Sequence, residues 1–263
     1  MKNLNSLVAA AFFLAILSVS SCKKEEGLKG SGPVTIHFDN RAGSADFAFA
    51  TNYTTAAGET VNFSKVKYYV SNFVLVKSDG STYTIPQDET YHLIDESIDS
   101  TQEITFENIP AGDYTSVKYI IGVDSLRSTT DVSQRTGDLD PAGAGADMYW
   151  SWNSGYIFFK IEGTSPQSTE MGNMFMYHIG GYGGYSSATT NNIRTVSISG
   201  TEAIEVREGK NPEVHVYADV LQAFTTPTNY SIASGAVVMM PSMGAVIADN
   251  YADMFTINHI HND

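Results

Sequence analysis

Residues 34–39 read VTIHFD, and apolar side chains alternate with polar ones along the whole stretch. This period of two is typical of a β-strand that buries one face and exposes the other. Residues 66–76 read VKYYVSNFVLV, are dense in Tyr, Phe and Val, and precede a turn at Asp79-Gly80. Both stretches therefore predict strands, and no sustained helical periodicity accompanies them.

The same pattern recurs along the rest of the chain between turns rich in Gly and Pro. Further strands are predicted at residues 82–85, 91–94, 103–106, 116–123, 156–162, 173–179, 194–199, 203–207, 213–218, 236–240 and 254–260. Many short strands at this spacing favour an all-β fold, an antiparallel sandwich or barrel. Residues 219–224 are expected to hold one helical turn. Because no repeat or long linker interrupts residues 34–263, they are predicted to form a single domain.

Composition excludes two classes of protein. The chain has 263 residues, is 42% hydrophobic and carries a formal net charge of -14, so its hydrophobicity is too high for a disordered acidic chain. Its 15 basic residues are scattered among 29 acidic ones. Because nucleic-acid affinity depends on clustered Lys and Arg, no nucleic acid is expected as a partner.

The N-terminus has the pattern of an export signal. Lys2 precedes an apolar run at residues 7–17 that is too short to span a bilayer, and residues 17–22 read LSVSSC. This stretch resembles a bacterial lipoprotein cleavage box, which makes residues 1–21 a cleaved signal peptide and Cys22 the lipidated first residue. Residues 22–33 then form a tether, and the protein is expected in the cell envelope as an outer-membrane lipoprotein, on the periplasmic or the surface face. The alternative is an ordinary signal peptide that leaves a free thiol.

Most catalytic signatures are missing from the sequence. It contains no Gly-x-Ser-x-Gly elbow, no His-Glu-x-x-His, no phosphate loop and no Cys-x-x-Cys. Asp138 and Asp140 suggest calcium, although Pro141 occupies the place of the next ligand in a calcium loop. Calcium is therefore a possible cofactor, and we expect no catalysis.

Histidine spacing points to a transition metal. His259 and His261 are two residues apart on a predicted strand, so their imidazoles share a face and can bind one ion. Met174, Met176 and His178 share a face by the same argument, and imidazole with thioether suits copper, especially Cu(I). The alternative interpretation is a solvated His-x-His near the terminus and a Met stripe that packs in the core.

Residues 148–157 read MYWSWNSGYI, and this segment contains both tryptophans, Trp150 and Trp152. The segment resembles the Met-Phe-Trp-Ser-Trp-x-x-Gly-Tyr signature of the MbnP-like copper-binding family, which is associated with methanobactin operons. Further blocks agree with the family in order, and the C-terminal block resembles the ending of a Bacteroidetes-type lipoprotein branch. These blocks are residues 67–72, 110–114, 121–124, 139–141, 178–180 and 250–262.

The resemblance implies a Greek-key-like β-sandwich that is exported and holds copper through histidines. It also implies that a partner diheme peroxidase of the MbnH kind oxidises a tryptophan to kynurenine in some members. Carried over to this chain, it gives Trp150 and Trp152 as oxidation candidates and His178 as a metal ligand. His259 and His261 follow from spacing, and His37, which alternates with apolar neighbours on the first strand, is a fourth candidate.

These observations predict an exported lipoprotein that binds copper for capture or handling. An alternative is a surface module for a glycan or protein, in which Trp150, Trp152, Tyr182 and Tyr185 stack on the ligand. A further alternative is a metallohydrolase, which needs a general base beside the metal. Asp219 or Asp253 would have to supply that base.

Overall fold

The computed structural model describes residues 28–150, 155–185 and 187–263. The predicted signal peptide, the lipidation candidate Cys22 and the oxidation candidate Trp152 lie outside the described residues. Among those that are described, no helix has the length and apolar character needed to cross a membrane.

Strands dominate the described residues. They are β1 (Ser31–Ala42), β2 (Ala45–Asp46), β3 (Asn52–Thr54), β4 (Thr60–Lys77), β5 (Thr82–Thr84), β6 (His92–Asp95), β7 (Glu103–Pro110), β8 (Gly112–Ile121), β9 (Tyr149–Trp150), β10 (Gly155–Thr164), β11 (Met174–Gly180), β12 (Arg194–Val206), β13 (Glu213–Asp219), β14 (Val237–Val238) and β15 (Phe255–His261). The helices are α1 (Ser125–Ser128) and α2 (Ala245–Tyr251). Short 3-10 turns lie at Gln87–Glu89, Asp99–Thr101, Val132–Gln134, Gly137–Leu139, Met171–Asn173, Val220–Phe224, Ile232–Ser234 and Pro241–Met243.

The strands form two sheets. The first has the order β15-β13-β1-β2, with β7 also paired to β1. The second has the order β12-β8-β4-β10-β11-β14, with β3, β5 and β6 on β4 and β9 on β10. Pairing is antiparallel except between β1 and β13 and between β11 and β14, which are parallel.

Aromatic rings from both sheets meet in the core between them. Phe38 of β1 contacts Tyr119 of β8 edge to face at 5.8 Å, and Phe255 of β15 contacts Tyr68 of β4 at 5.7 Å. These four rings are buried, and each such pair contributes about 0.5–1.5 kcal/mol beyond the burial of its area. The predicted all-β sandwich is therefore confirmed. Because one face of β1, β13 and β15 fills this core, their other face remains available for polar side chains.

The predicted strands at residues 34–39 and 66–76 are confirmed and extend further in both directions, as β1 and β4. Residues 194–199 and 203–207 join into one strand, β12, which is irregular between Ser199 and Ile204. The helical turn at 219–224 is confirmed as Val220–Phe224. Helix α2 was not predicted, although its buried Ile247, Ala248 and Tyr251 have helical spacing.

Candidate metal centre

Four histidines and one glutamate gather on the outer face of the first sheet. The pairing register places His37 of β1 opposite His215 of β13, and His215 opposite His259 of β15, so these three form one row across the sheet. Glu213 is opposite His261 in the neighbouring row. Val214 and Val216 of β13 are fully buried, whereas His215 between them is partly exposed. The alternation of each strand therefore directs the histidines away from the core.

A bulge in β15 turns His259 to the same face of the sheet as His215. His215 pairs with His259 and Val216 pairs with Ile257, which leaves Asn258 as an extra residue in the strand. Without the bulge, strict alternation from Ile257 would turn His259 towards the core. With it, His259 and His261 both lie on the outer face, and both are exposed.

His215, His259 and His261 form the first set of potential ligands. One nitrogen from each ring lies within 4.8 Å of the other two. The Nε2 atoms of His259 and His261 are 3.1 Å apart, and the His215 ring stacks on His259 at 4.1 Å between centroids with 15° between planes. Two imidazole nitrogens that bind one tetrahedral ion at about 2.0 Å lie about 3.3 Å apart. His259 and His261 already meet that separation.

Glu213 connects His215 to His37. Its Oε1 lies 2.9 Å from His215 Nε2 and 3.4 Å from His37 Nδ1, and these three residues form a second set whose potential ligand atoms lie within 4.8 Å of one another. Burial lowers the pKa of His215, Glu213 opposes that shift, and the neighbouring histidines add to it, so the pKa is lowered overall. The lowered pKa of His215 favours the neutral form that binds metals.

The donor types suit copper or zinc. Four imidazoles and one carboxylate match transition metals, whereas calcium prefers an all-oxygen site. The two aspartates considered for calcium have other partners, because Asp138 accepts from the backbone N–H of Leu93 and Asp140 from that of Ala142. Calcium therefore gains no support.

The structure places His37, His259 and His261 on one face of the first sheet and adds His215 between His37 and His259, a residue that the sequence did not single out. The signal was present, because Glu213 and His215 have the same spacing of two within a predicted strand. His178 lies elsewhere, on β11 of the second sheet. Among the described residues, the sets of His, Cys, Asp and Glu able to share an ion are the two on the first sheet, and neither contains His178.

His178 is instead part of a network of acids and lysines. Its Nε2 lies 2.8 Å from Oε1 of Glu162, and burial outweighs this contact to lower the pKa of His178. Burial disfavours the ionised form of Glu162, but the hydrogen bond with His178 and the nearby lysines lower its pKa overall. The ring nitrogen that faces Glu162 therefore already has a carboxylate partner.

The MbnP family model matches residues 31–240 of this chain. The chain belongs to the MbnP family. The solved structure of MbnP from Methylosinus trichosporium is similar with a TM-score of 0.55 and 15% sequence identity, over 88% of this chain and 99% of that one. This likeness shows a shared fold. A comparison with curated proteins gives no match.

Membership of the MbnP family supports a role associated with methanobactin and copper. His37, Glu213 and His215 lie within the matched segment, whereas His259 and His261 follow it in the chain. The first ligand set therefore combines one histidine of the family segment with two from β15.

Trp150 lies on β9, which pairs with β10 of the second sheet, and its side chain is buried. Trp150 is 6% exposed in a cluster with Met148, Tyr156 and Tyr182. Gly180 lets the ring approach, because a Cβ there would lie 2.7 Å from Trp150 Cζ3 and 2.4 Å from the carbonyl oxygen of Tyr156. Trp150 is therefore enclosed by packing that requires glycine.

This burial counts against the stacking platform considered from the sequence. Three aromatic residues of the proposed platform are described. Trp150 and Tyr182 are buried, whereas Tyr185 is 81% exposed. Asp219 was considered as the general base of a metallohydrolase. Its carboxylate accepts hydrogen bonds from the backbone N–H groups of Gly43 and Leu221, so it already stabilises the local backbone. Neither the stacking platform nor Asp219 as a general base gains support from these positions.

Lysines hold Asp147, the residue that directly precedes the signature segment. The carboxylate of Asp147 lies 3.0 Å from Nζ of Lys65, 3.2 Å from that of Lys67 and 3.5 Å from that of Lys160. Lys160 also donates to the backbone carbonyl of Asp147 at 2.6 Å. Burial opposes ionisation of Asp147, yet the hydrogen bond from Lys65 and the charges of the other two lysines lower its pKa to about 2. The segment that leads to Trp150 is therefore fixed to β4 and β10.

Proposed function

We propose that this protein is an exported copper-binding lipoprotein that captures or handles copper, with His215, His259 and His261 as the ligands. The observation that carries the proposal is the convergence of three imidazoles from β13 and β15, two of them with Nε2 atoms 3.1 Å apart. An all-imidazole set suits Cu(I) and Cu(II), and membership of the MbnP family supports copper among the metals that imidazole binds.

Access from solution favours capture. His259 and His261 are exposed, and both line a groove of about 310 Å³ between β12 and β15 that also includes Glu202. An ion can therefore reach the imidazoles without any opening of the core. We propose binding and not catalysis, because capture needs only these ligands, whereas hydrolysis would also need a placed general base.

We further propose that Cys22 carries the lipid anchor and places the domain in the cell envelope, at the outer membrane. We also propose that a diheme peroxidase of the MbnH kind oxidises Trp150 or Trp152 to kynurenine. Trp150 lies on β9 beside the second sheet, and the histidine set lies on the first. Copper binding at the histidines is therefore expected to be independent of this oxidation.

The first test is elemental analysis of the protein purified from its native host, with peptide masses measured on the same sample. Near-stoichiometric copper supports the site, and a mass increase on the peptide that contains Trp150 and Trp152 supports the peroxidase. A lipid-modified N-terminal peptide beginning at Cys22 supports the anchor.

The second test locates the copper. The protein is titrated with Cu(I) against a competing chelator, as wild type and with His215, His259 and His261 all changed to Ala. Loss of even an outer-shell partner costs a metal site about 10–100-fold, so loss of three ligands should weaken binding by at least about 100-fold. His178→Gln is the matched control and should retain wild-type affinity. Undiminished affinity in the triple variant, or equal loss in His178→Gln, overturns this ligand assignment.

A further inference from the structure

Glu213 places a carboxylate between the imidazoles of His37 and His215, beside the proposed copper ligands His215, His259 and His261, called the copper set below. Its Oε1 is 2.9 Å from His215 Nε2 and 3.4 Å from His37 Nδ1, and the rings of His37 and His215 are 5.1 Å apart. All three side chains are partly buried, whereas His259 and His261 are exposed. The arrangement is therefore a compact mixed-donor set on the more protected side of His215.

The strands hold this mixed set in place. β1 and β13 are parallel neighbours in the interior of the first sheet, and His37 is directly opposite His215 in their register. Glu213 is two residues before His215 and therefore shares its face. These three side chains depend on the pairing of β1 with β13, whereas His259 and His261 depend on the strand β15 and its bulge.

Donor chemistry separates the two sets. Two imidazoles with one carboxylate form a ligand set used for Zn²⁺, and a charged oxygen donor favours a divalent ion over Cu(I). Three imidazoles bring no negative charge to favour a divalent ion, so they accept Cu(I) as well. The two sets therefore differ in the charge that they present to an ion, and Cu(I) is expected at the imidazole set and not at the mixed one.

The structure assigns His37, Glu213 and His215 as a second metal position, for a divalent transition ion such as Zn²⁺ or Cu²⁺. It shares His215 with the copper set of the proposed function but otherwise rests on different residues. A neutral imidazole has one lone pair for a metal, so His215 serves one position at a time. Occupancy by Cu(I) and occupancy by a divalent ion therefore exclude each other.

The test measures two ions on the same variants of the full chain. Co²⁺, whose visible absorption reports its coordination, probes the mixed set, and Cu(I) against a competing chelator probes the imidazole set. His37→Ala should weaken Co²⁺ binding by about tenfold or more and leave Cu(I) affinity unchanged, because His37 belongs to the mixed set alone. His261→Ala should do the reverse, and Glu213→Gln should weaken Co²⁺ binding as His37→Ala does.

Asp39→Asn is the matched control, because Asp39 is another partly exposed carboxylate on the same strand as His37 and pairs with Arg41. It should leave both affinities unchanged. Adding one equivalent of Cu(I) to the Co²⁺-loaded protein should remove the Co²⁺ absorption. Co²⁺ binding that survives His37→Ala, or Co²⁺ and Cu(I) bound together, overturns the second position. Absence of Cu(I) binding with Co²⁺ binding intact would instead refute the proposed copper function.

Discussion

Replacing Asp147 by Asn should destabilise the fold above pH 4 and have a much smaller effect at pH 2. The substitution removes the negative charge at which Lys65, Lys67 and Lys160 converge and keeps the size of the side chain. Without that charge, three ammonium groups remain close together on one sheet surface. The loss should therefore appear as a lower free energy of unfolding.

The pKa of Asp147 sets the magnitude. The folded protein lowers it from 3.8 to about 2, against the cost of burial, through the hydrogen bond from Lys65 and the charges of Lys160 and Lys67. One pKa unit corresponds to about 1.4 kcal/mol, so the upper limit is about 2.4 kcal/mol. Because the side chain is 37% exposed, solvent screening reduces the expected loss to about 1 kcal/mol.

The sign of the pH dependence follows from the lowered pKa. The ionised carboxylate stabilises the fold above pH 3.8, and this contribution is lost as the pH falls through about 2, where Asp147 is half protonated in the folded state. Urea unfolding of wild type and Asp147→Asn at pH 7 and at pH 2 measures this contribution to the free energy of unfolding. Asp253→Asn, at an exposed carboxylate, is the control and should match wild type at both pH values. Equal midpoints for Asp147→Asn and wild type at pH 7, or a difference that is as large at pH 2, would refute the reasoning.

Three other substitutions give separate predictions. Gly180→Ala should lower the free energy of unfolding by about 1–3 kcal/mol and shift the tryptophan fluorescence emission, because the new Cβ would clash with Trp150. Unchanged emission and stability would contradict that packing. Asn250→Ala should lower the free energy of unfolding in urea by about 2–4 kcal/mol. The buried side chain donates to the carbonyls of Ala223 and Thr228 and accepts from the N–H of Thr228. A loss below about 1 kcal/mol would contradict the importance of these hydrogen bonds. Trp150→Phe should leave Cu(I) affinity within about threefold of wild type, since an indole has no metal-binding lone pair; a larger loss in chelator competition would tie copper to the signature segment.

Part of the candidate metal centre was predictable from the sequence. The spacing of His259 and His261 placed both on one strand face, and the alternation around His37 placed it on the polar face of β1. His215 has the same alternation between Val214 and Val216 and the same spacing of two from Glu213, but nothing in the sequence shows that β13 lies between β1 and β15. His178 followed from the family signature, and the structure surrounds it with Glu162 and Lys160.

Periodicity is a local property of the chain, and it is enough to determine the strands and the side of each that faces the core, since burial selects the apolar face. The partner of each strand is not local. The parallel pairing of β1 with β13 places His37 beside His215, and the single extra residue Asn258 in β15 turns His259 towards them. These contacts depend on how two whole sheets pack, because the free energy of burying the shared core decides which distant strands become neighbours. The sequence alone therefore determined the fold class and three of the clustered histidines, and only the tertiary structure decided that they meet His215 and Glu213.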